Sequence, residues 1–190
     1  MASTLIVGDG PAGLSAALFL AKRGHQVTVF GEDQTPMHHA ELHNYLGLPV
    51  IAGSDFQAVA REQVRSHGAD LRDEAVTGVE VDGERVRVRT DGDAVEGDYL
   101  VLAGGKPAQR LARELGVRIE DGRVAVDAEY RTDHDRVYAL GRMVRPERSQ
   151  AIISAGTGAV AALDILSREE GGDVHDWDTP SEHDHDHPGL

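Results

Sequence analysis

Hydrophobic and polar positions along the chain fall into blocks of different period, and each block predicts an element. Thr4–Val7 is a short apolar run, expected as a buried strand. Pro11–Arg23 then carries Ala12, Leu14, Ala16, Ala17, Leu18, Leu20 and Ala21 at helical spacing, and Gly24 stops it. Gln26–Phe30 (QVTVF) alternates as a second strand, closing a β-α-β unit whose crossover is expected to be right-handed. Residues 31–50 are polar and irregular, and a helix is predicted from Ser54, an N-cap candidate, to His67. From Leu71 the period falls to two. The segments AVTGVEVDG, ERVRVRTDGD and AVEGD, punctuated by Asp82-Gly83 and Asp91-Gly92, predict a small antiparallel meander. Tyr99–Ala103 (YLVLA) is a continuous apolar run, which suits a buried parallel strand. A short helix near Ala108–Leu115, strands at Arg123–Val126 and Val137–Ala139, and an alanine-rich helix over Gln150–Ser167 complete the pattern. The reading is one domain over residues 1–170, followed by a disordered, acidic, His-rich tail over 171–190.

Composition narrows the function classes. With 190 residues there is room for one domain with a real core and little for a second. A formal charge of −14, with Lys22 and Lys106 the only lysines, makes nucleic acid and anionic membrane poor partners. Such a surface fits a halophilic protein or an ordinary acidic cytosolic one, and composition leaves both open. The chain has no cysteine, so it brings no disulfide, thiolate nucleophile or dithiol of its own. The amino end lacks a basic segment with a cleavage site, and no apolar run is expected to span a bilayer, so a cytoplasmic location is expected.

Chemistry concentrates between the first strand and first helix. There Gly8, Gly10 and Gly13 form G-x-G-x-x-G, directly behind a strand and opening a helix. Gly8 permits the turn, Gly10 lets backbone approach a pyrophosphate, and Gly13 lets the helix pack on the sheet. The helix amino end offers free N–H groups and a positive dipole to phosphates. Glu32, just past the second strand, is the candidate for the acidic residue that binds an adenosine ribose; the competing reading is a solvated loop carboxylate. His38, His39 and His43 carry the side chain suited to proton relay near neutral pH, and are read as exposed loop histidines. The tail run His183-Asp184-His185-Asp186-His187 lacks anything to hold a geometry, so no metal is assigned to it.

In this order the segments resemble the FAD domain of the thioredoxin reductase family. GDGPAGLSAA is similar to that family's GxGPAGxxAA loop, LHNYLGLP to its VENYPGFP, YLVLAGG to its strand ending in ATG, and SQAIISAGTGAVAA to its RQVVTAAGEGAIAA helix. The resemblance implies an α/β, Rossmann-like FAD-binding domain with a mainly parallel sheet and a small antiparallel meander. It places FAD phosphates over Gly8, Gly10, Pro11, Ala12 and Gly13, adenosine near Glu32 and Val76, and the flavin near Asn44, Ala103, Gly104, Gly141, Gln150 and Ala151. Three departures stand out. Between Ala103 and Leu111 the family inserts a complete NADPH domain with a CxxC dithiol, and here the chain runs straight on. The loop after the second strand lacks the GGQ segment. The family's Gly-Asp pair is Gly141-Arg142, where a guanidinium could bind phosphate directly or mark a remodelled site.

The expected function is therefore a minimal single-domain flavoprotein with FAD as cofactor. It would exchange electrons with an external redox partner protein or a small-molecule reductant, and a homodimer could cover the flavin face. The alternative is a non-enzymatic module that binds FAD, NAD or ADP as a sensor. No residue is assigned a catalytic role.

Overall fold

The computed structural model describes residues 1–178. In chain order the elements are β1 (Ser3–Val7), α1 (Pro11–Lys22), β2 (Gln26–Gly31), β3 (Glu41–Leu42), β4 (Ile51–Ala52), α2 (Gly53–Ser66), β5 (Asp70–Asp73), β6 (Val76–Asp82), β7 (Arg85–Thr90) and β8 (Ala94–Gly97). They continue with β9 (Tyr99–Leu102), α3 (Lys106–Glu114), β10 (Ile119–Glu120), β11 (Arg123–Val124), β12 (Val137–Ala139) and α4 (Ala151–Glu170). Short 3-10 turns occupy Pro36–His39, Gly141–Met143 and Pro146–Arg148.

Five strands form one parallel sheet in the order β12-β9-β1-β2-β5. Successive side chains of a strand point to opposite faces, so the apolar runs must be covered on both sides. Ile6, Val101 and Tyr138 face a layer that contains α1 and α4, with Leu14, Leu20, Ala161 and Ile165. Leu5, Val7, Leu100 and Leu102 face the other layer, where Val79, Val86 and Val88 of the meander and Leu111 of α3 close over them. The antiparallel β6-β7-β8 sheet thus takes the place of a crossover helix between β5 and β9.

Local chemistry accounts for the element ends. Pro11 opens α1 at its first turn, where no N–H partner is lost, and Gly24 (φ 78°) follows its end. α1 and α4 approach closely because Gly158 has no side chain: a Cβ there would lie 2.2 Å from the Ala12 carbonyl oxygen.

Several expectations need correction. The meander begins at Val76, not Leu71; residues 70–73 form β5, a parallel edge strand of the main sheet. Its sequence DLRD is polar because an edge strand is half solvated, so no apolar alternation betrays it. The N-cap of α2 is Ala52, and Ser54 lies within the first turn with no capping bond. The strand expected over 123–126 is only the two-residue β11, paired with β10. α4 reaches Glu170, and its length and mean hydropathy of 1.3 would suffice to cross a membrane, contrary to the expectation that no run does; here it lies against α1. Beyond it, Val174 packs on the core and donates its N–H to Ser167 Oγ at 3.0 Å, and Lys22 Nζ meets Asp176 at 3.0 Å. The His183–His187 run lies outside the described residues.

Candidate functional site

The carboxyl ends of the parallel strands form a crest, and the turns leaving them carry the expected site residues. Gly8 (φ 111°) turns out of β1, its N–H bonded to the Phe30 carbonyl at 2.8 Å. A Cβ on Gly8 would sit 2.4 Å from the Gly104 nitrogen, and one on Gly13 would sit 1.9 Å from the Gly8 carbonyl oxygen. Both glycines therefore serve close packing of backbone on backbone. Gly10 differs: a Cβ there would find only Thr35 Oγ1, at 3.5 Å. Gly10 is also the N-cap of α1 with no side-chain cap, which leaves first-turn N–H groups for an outside acceptor. Together these are the properties of a phosphate cradle.

Beside the turn lies a cleft of about 400 Å³, and it gathers Pro11, Asn44, Arg142, Gln150 and Ala151 from four separate segments. Asn44 Nδ2 donates to Gln150 Oε1 at 3.1 Å across one side. Arg142 is exposed, and its Nε donates to Ser149 Oγ at 3.3 Å. Gly141 (φ 61°) holds this turn in place by donating its N–H to Thr157 Oγ1 of α4 at 3.1 Å. Gly105 borders the same cleft, one residue past Gly104, and has open space on its Cβ side. Ala103, at the end of β9, bonds the Val7 carbonyl and packs on the core. His43 also lines the cleft, its Nε2 2.9 Å from Glu41, whereas His38 pairs with Asp33 and His39 is exposed.

Glu32 and Val76 fall elsewhere. Glu32 is exposed and borders a polar hollow of about 550 Å³ with Arg72, Glu74 and Ala75, next to Val76. Gly31 occupies the last position of β2, and the room beside it is taken by Asp9: a Cβ on Gly31 would lie 2.3 Å from Asp9 Cγ.

Asp9 belongs to a buried network that sequence reasoning missed. Its carboxylate bonds Arg61 Nη1 and accepts the Asp33 N–H at 3.2 Å; Arg61 Nη2 also donates to Asp73 at 2.5 Å. Gln57, fully buried, donates to the Asp9 carbonyl at 2.6 Å, while its Oε1 has no partner among the described residues. Burial raises the pKa of Asp9 above its ordinary value, against the opposing pull of Arg61. The available signal was the pairing of an aspartate inside the glycine turn with a glycine at the strand end, which meet in space through the β1–β2 register.

The arrangement is suited to holding a dinucleotide along the crest, its pyrophosphate at the turn and a ring system in the cleft. Residues 48–158 match a family model described as pyridine nucleotide-disulphide oxidoreductase, and residues 6–49 match an NAD(P)-binding Rossmann-like domain. A nitric oxide reductase FlRd-NAD(+) reductase of Vibrio vulnificus (strain YJ016) is 31% identical over 72% of this chain and 34% of its own length. A thioredoxin reductase of Spironucleus barkhanus is 31% identical over 56% of this chain and 37% of its own. The chain thus spans about a third of the length of these curated relatives. Among solved structures, a thioredoxin reductase from Gloeobacter violaceus superposes with a TM-score of 0.84 at 17% identity, covering 94% of this chain and 99% of that one. At that identity the likeness speaks to the fold.

Proposed function

Because the chain belongs to the pyridine nucleotide-disulphide oxidoreductase family and has a thioredoxin reductase-like fold, we propose that it is a flavoprotein that exchanges electrons with an external partner. The observation that carries this reading is the convergence of Pro11, Asn44, Arg142, Gln150 and Ala151 on one cleft next to the uncapped amino end of α1. Gly10 and the first-turn N–H groups would hold the FAD pyrophosphate, and Asn44 and Gln150 would orient the ring end. Arg142 would supply a bidentate cation toward phosphate or ribityl oxygens. When bound, FAD supplies the hydride and electron chemistry; the protein contributes position and electrostatics. The dithiol of a thioredoxin reductase is absent from this chain, so a disulfide substrate would have to be reduced by another protein or at the flavin itself.

A second reading, a nucleotide-binding module without redox activity, is favoured by one feature. The carboxylate expected at the β2 end is replaced by Gly31, and Asp9 in its place is tied to Arg61. A visible spectrum of the purified protein, with identification of the ligand released on denaturation, separates the two. Yellow protein releasing FAD supports the flavoprotein. Colourless protein that retains ADP or NAD and resists FAD reconstitution favours the module.

A further inference from the structure

On this acidic chain most cations are already matched. Arg85, Arg87 and Arg89 of the meander, and Arg110, Arg118 and Arg131 elsewhere, each lie within 4.0 Å of a carboxylate. The segment after β12 differs. Arg142, Arg145 and Arg148 recur every third residue through the turns Gly141–Met143 and Pro146–Arg148, all exposed, with no carboxylate within 4.0 Å among the described residues. Arg142 borders the cleft, and Arg145 and Arg148 continue outward around an adjoining hollow of about 200 Å³ with Arg123. The carboxylates bordering that hollow are Asp121, 4.0 Å from Arg123, and Glu147.

We infer that this arginine rim, Arg123 with Arg145 and Arg148, is the docking surface for an acidic protein that delivers or accepts electrons at the cleft. The inference rests on reading the cleft as a flavin site. A net charge of −14 repels an acidic partner in general. At physiological ionic strength, however, charges beyond about 8 Å are largely screened, so the charges at the contact decide. At the rim those are three guanidinium groups against the carboxylates of Asp121 and Glu147, while Glu120 and Asp127 of the neighbouring hollow are matched by Arg118 and Arg131. Guanidinium groups meet carboxylates as planar forks and favour encounters with the cleft toward the partner. A small anion is a poorer occupant. The three exposed arginines share one small hollow with the carboxylates of Asp121 and Glu147, which repel a compact phosphate placed there, whereas a protein surface can meet the guanidinium groups from outside.

The test is binding of a fluorescein-labelled polyglutamate peptide to the full chain at low salt, followed by anisotropy. Arg145→Glu with Arg148→Glu should weaken binding about tenfold. The control, Arg65→Glu with Arg113→Glu, makes the same change in net charge at exposed arginines elsewhere, which also have no carboxylate within 4.0 Å among the described residues. It should change binding by less than about twofold. Should both double variants weaken alike, net charge rather than a surface governs binding and the inference is overturned. Displacement of the peptide by micromolar inorganic pyrophosphate would also overturn it, in favour of a small-anion site. Flavin absorbance of the same samples keeps the two proposals apart. Bound FAD without rim-dependent binding refutes the docking surface alone; rim-dependent binding without FAD refutes the flavin reading and, with it, the electron-transfer role of the rim.

Discussion

Around Gly8, Gly13 and Gly104 the strand ends meet backbone against backbone, whereas around Gly31 the space left by a missing side chain is filled from the neighbouring turn by Asp9. The first region removes side chains so that N–H groups and a helix amino end face outward, toward an anion. The second puts a carboxylate into the same crest and must neutralise it with Arg61, which bridges to Asp73. One stretch is therefore held by shape, and the other by matched charge. The difference matters because shape tolerates no added atom, while a charge network tolerates removal only of both partners together.

Four perturbations bear on this contrast. The largest effect is expected from Arg61→Ala, which leaves Asp9 buried without its cation and should cost about 3–5 kcal/mol in urea denaturation. Asp9→Ala with Arg61→Met should recover most of that; an equal loss in the double variant would show that packing, not charge, holds this end. Next, Gly13→Ala places a Cβ 1.9 Å from the Gly8 carbonyl and should cost about 1–3 kcal/mol. Gly10→Ala, on the open side of the same turn, should cost less than about 1 kcal/mol while weakening FAD retention. If Gly10→Ala destabilises as strongly as Gly13→Ala, the division of roles within the turn is wrong.

The smallest effect concerns His25, beyond the end of α1, whose Nδ1 is buried without a partner among the described residues. Burial lowers its pKa below 6.5, so the folded protein holds it neutral while the unfolded chain protonates it first. Stability from this group is complete above pH 6.5 and is lost as pH falls from there toward the folded pKa. His25→Gln should flatten that part of the pH–stability profile, and an unchanged slope would remove His25 from the account.

The shape-determined region was legible in the sequence and the charge-determined one was not. G-x-G-x-x-G after an apolar run encodes a local geometry within ten residues, and YLVLA announces a buried strand by its composition alone. The cleft residues Asn44, Arg142 and Gln150 were placed by resemblance of later segments, and the structure does bring them together. Asp9, Arg61 and Asp73 share no spacing; the β1–β2–β5 order and the packing of α2, which carries Arg61, bring them into contact. β5 escaped notice for a related reason, since a polar edge strand carries no periodic signal.

The close fit of α4 on α1 has a consequence for how the chain is made. α1 leaves the ribosome early, with Ala12 and Ala16 bare, and the helix that covers them, with Gly158 pressed against the Ala12 carbonyl, is the last described element. At about 5–20 residues per second, α1 waits on the order of ten seconds for its cover. During that interval the alanine and leucine stripe of α1 has no cover, so the α1 side of the core closes only after α4 has been made.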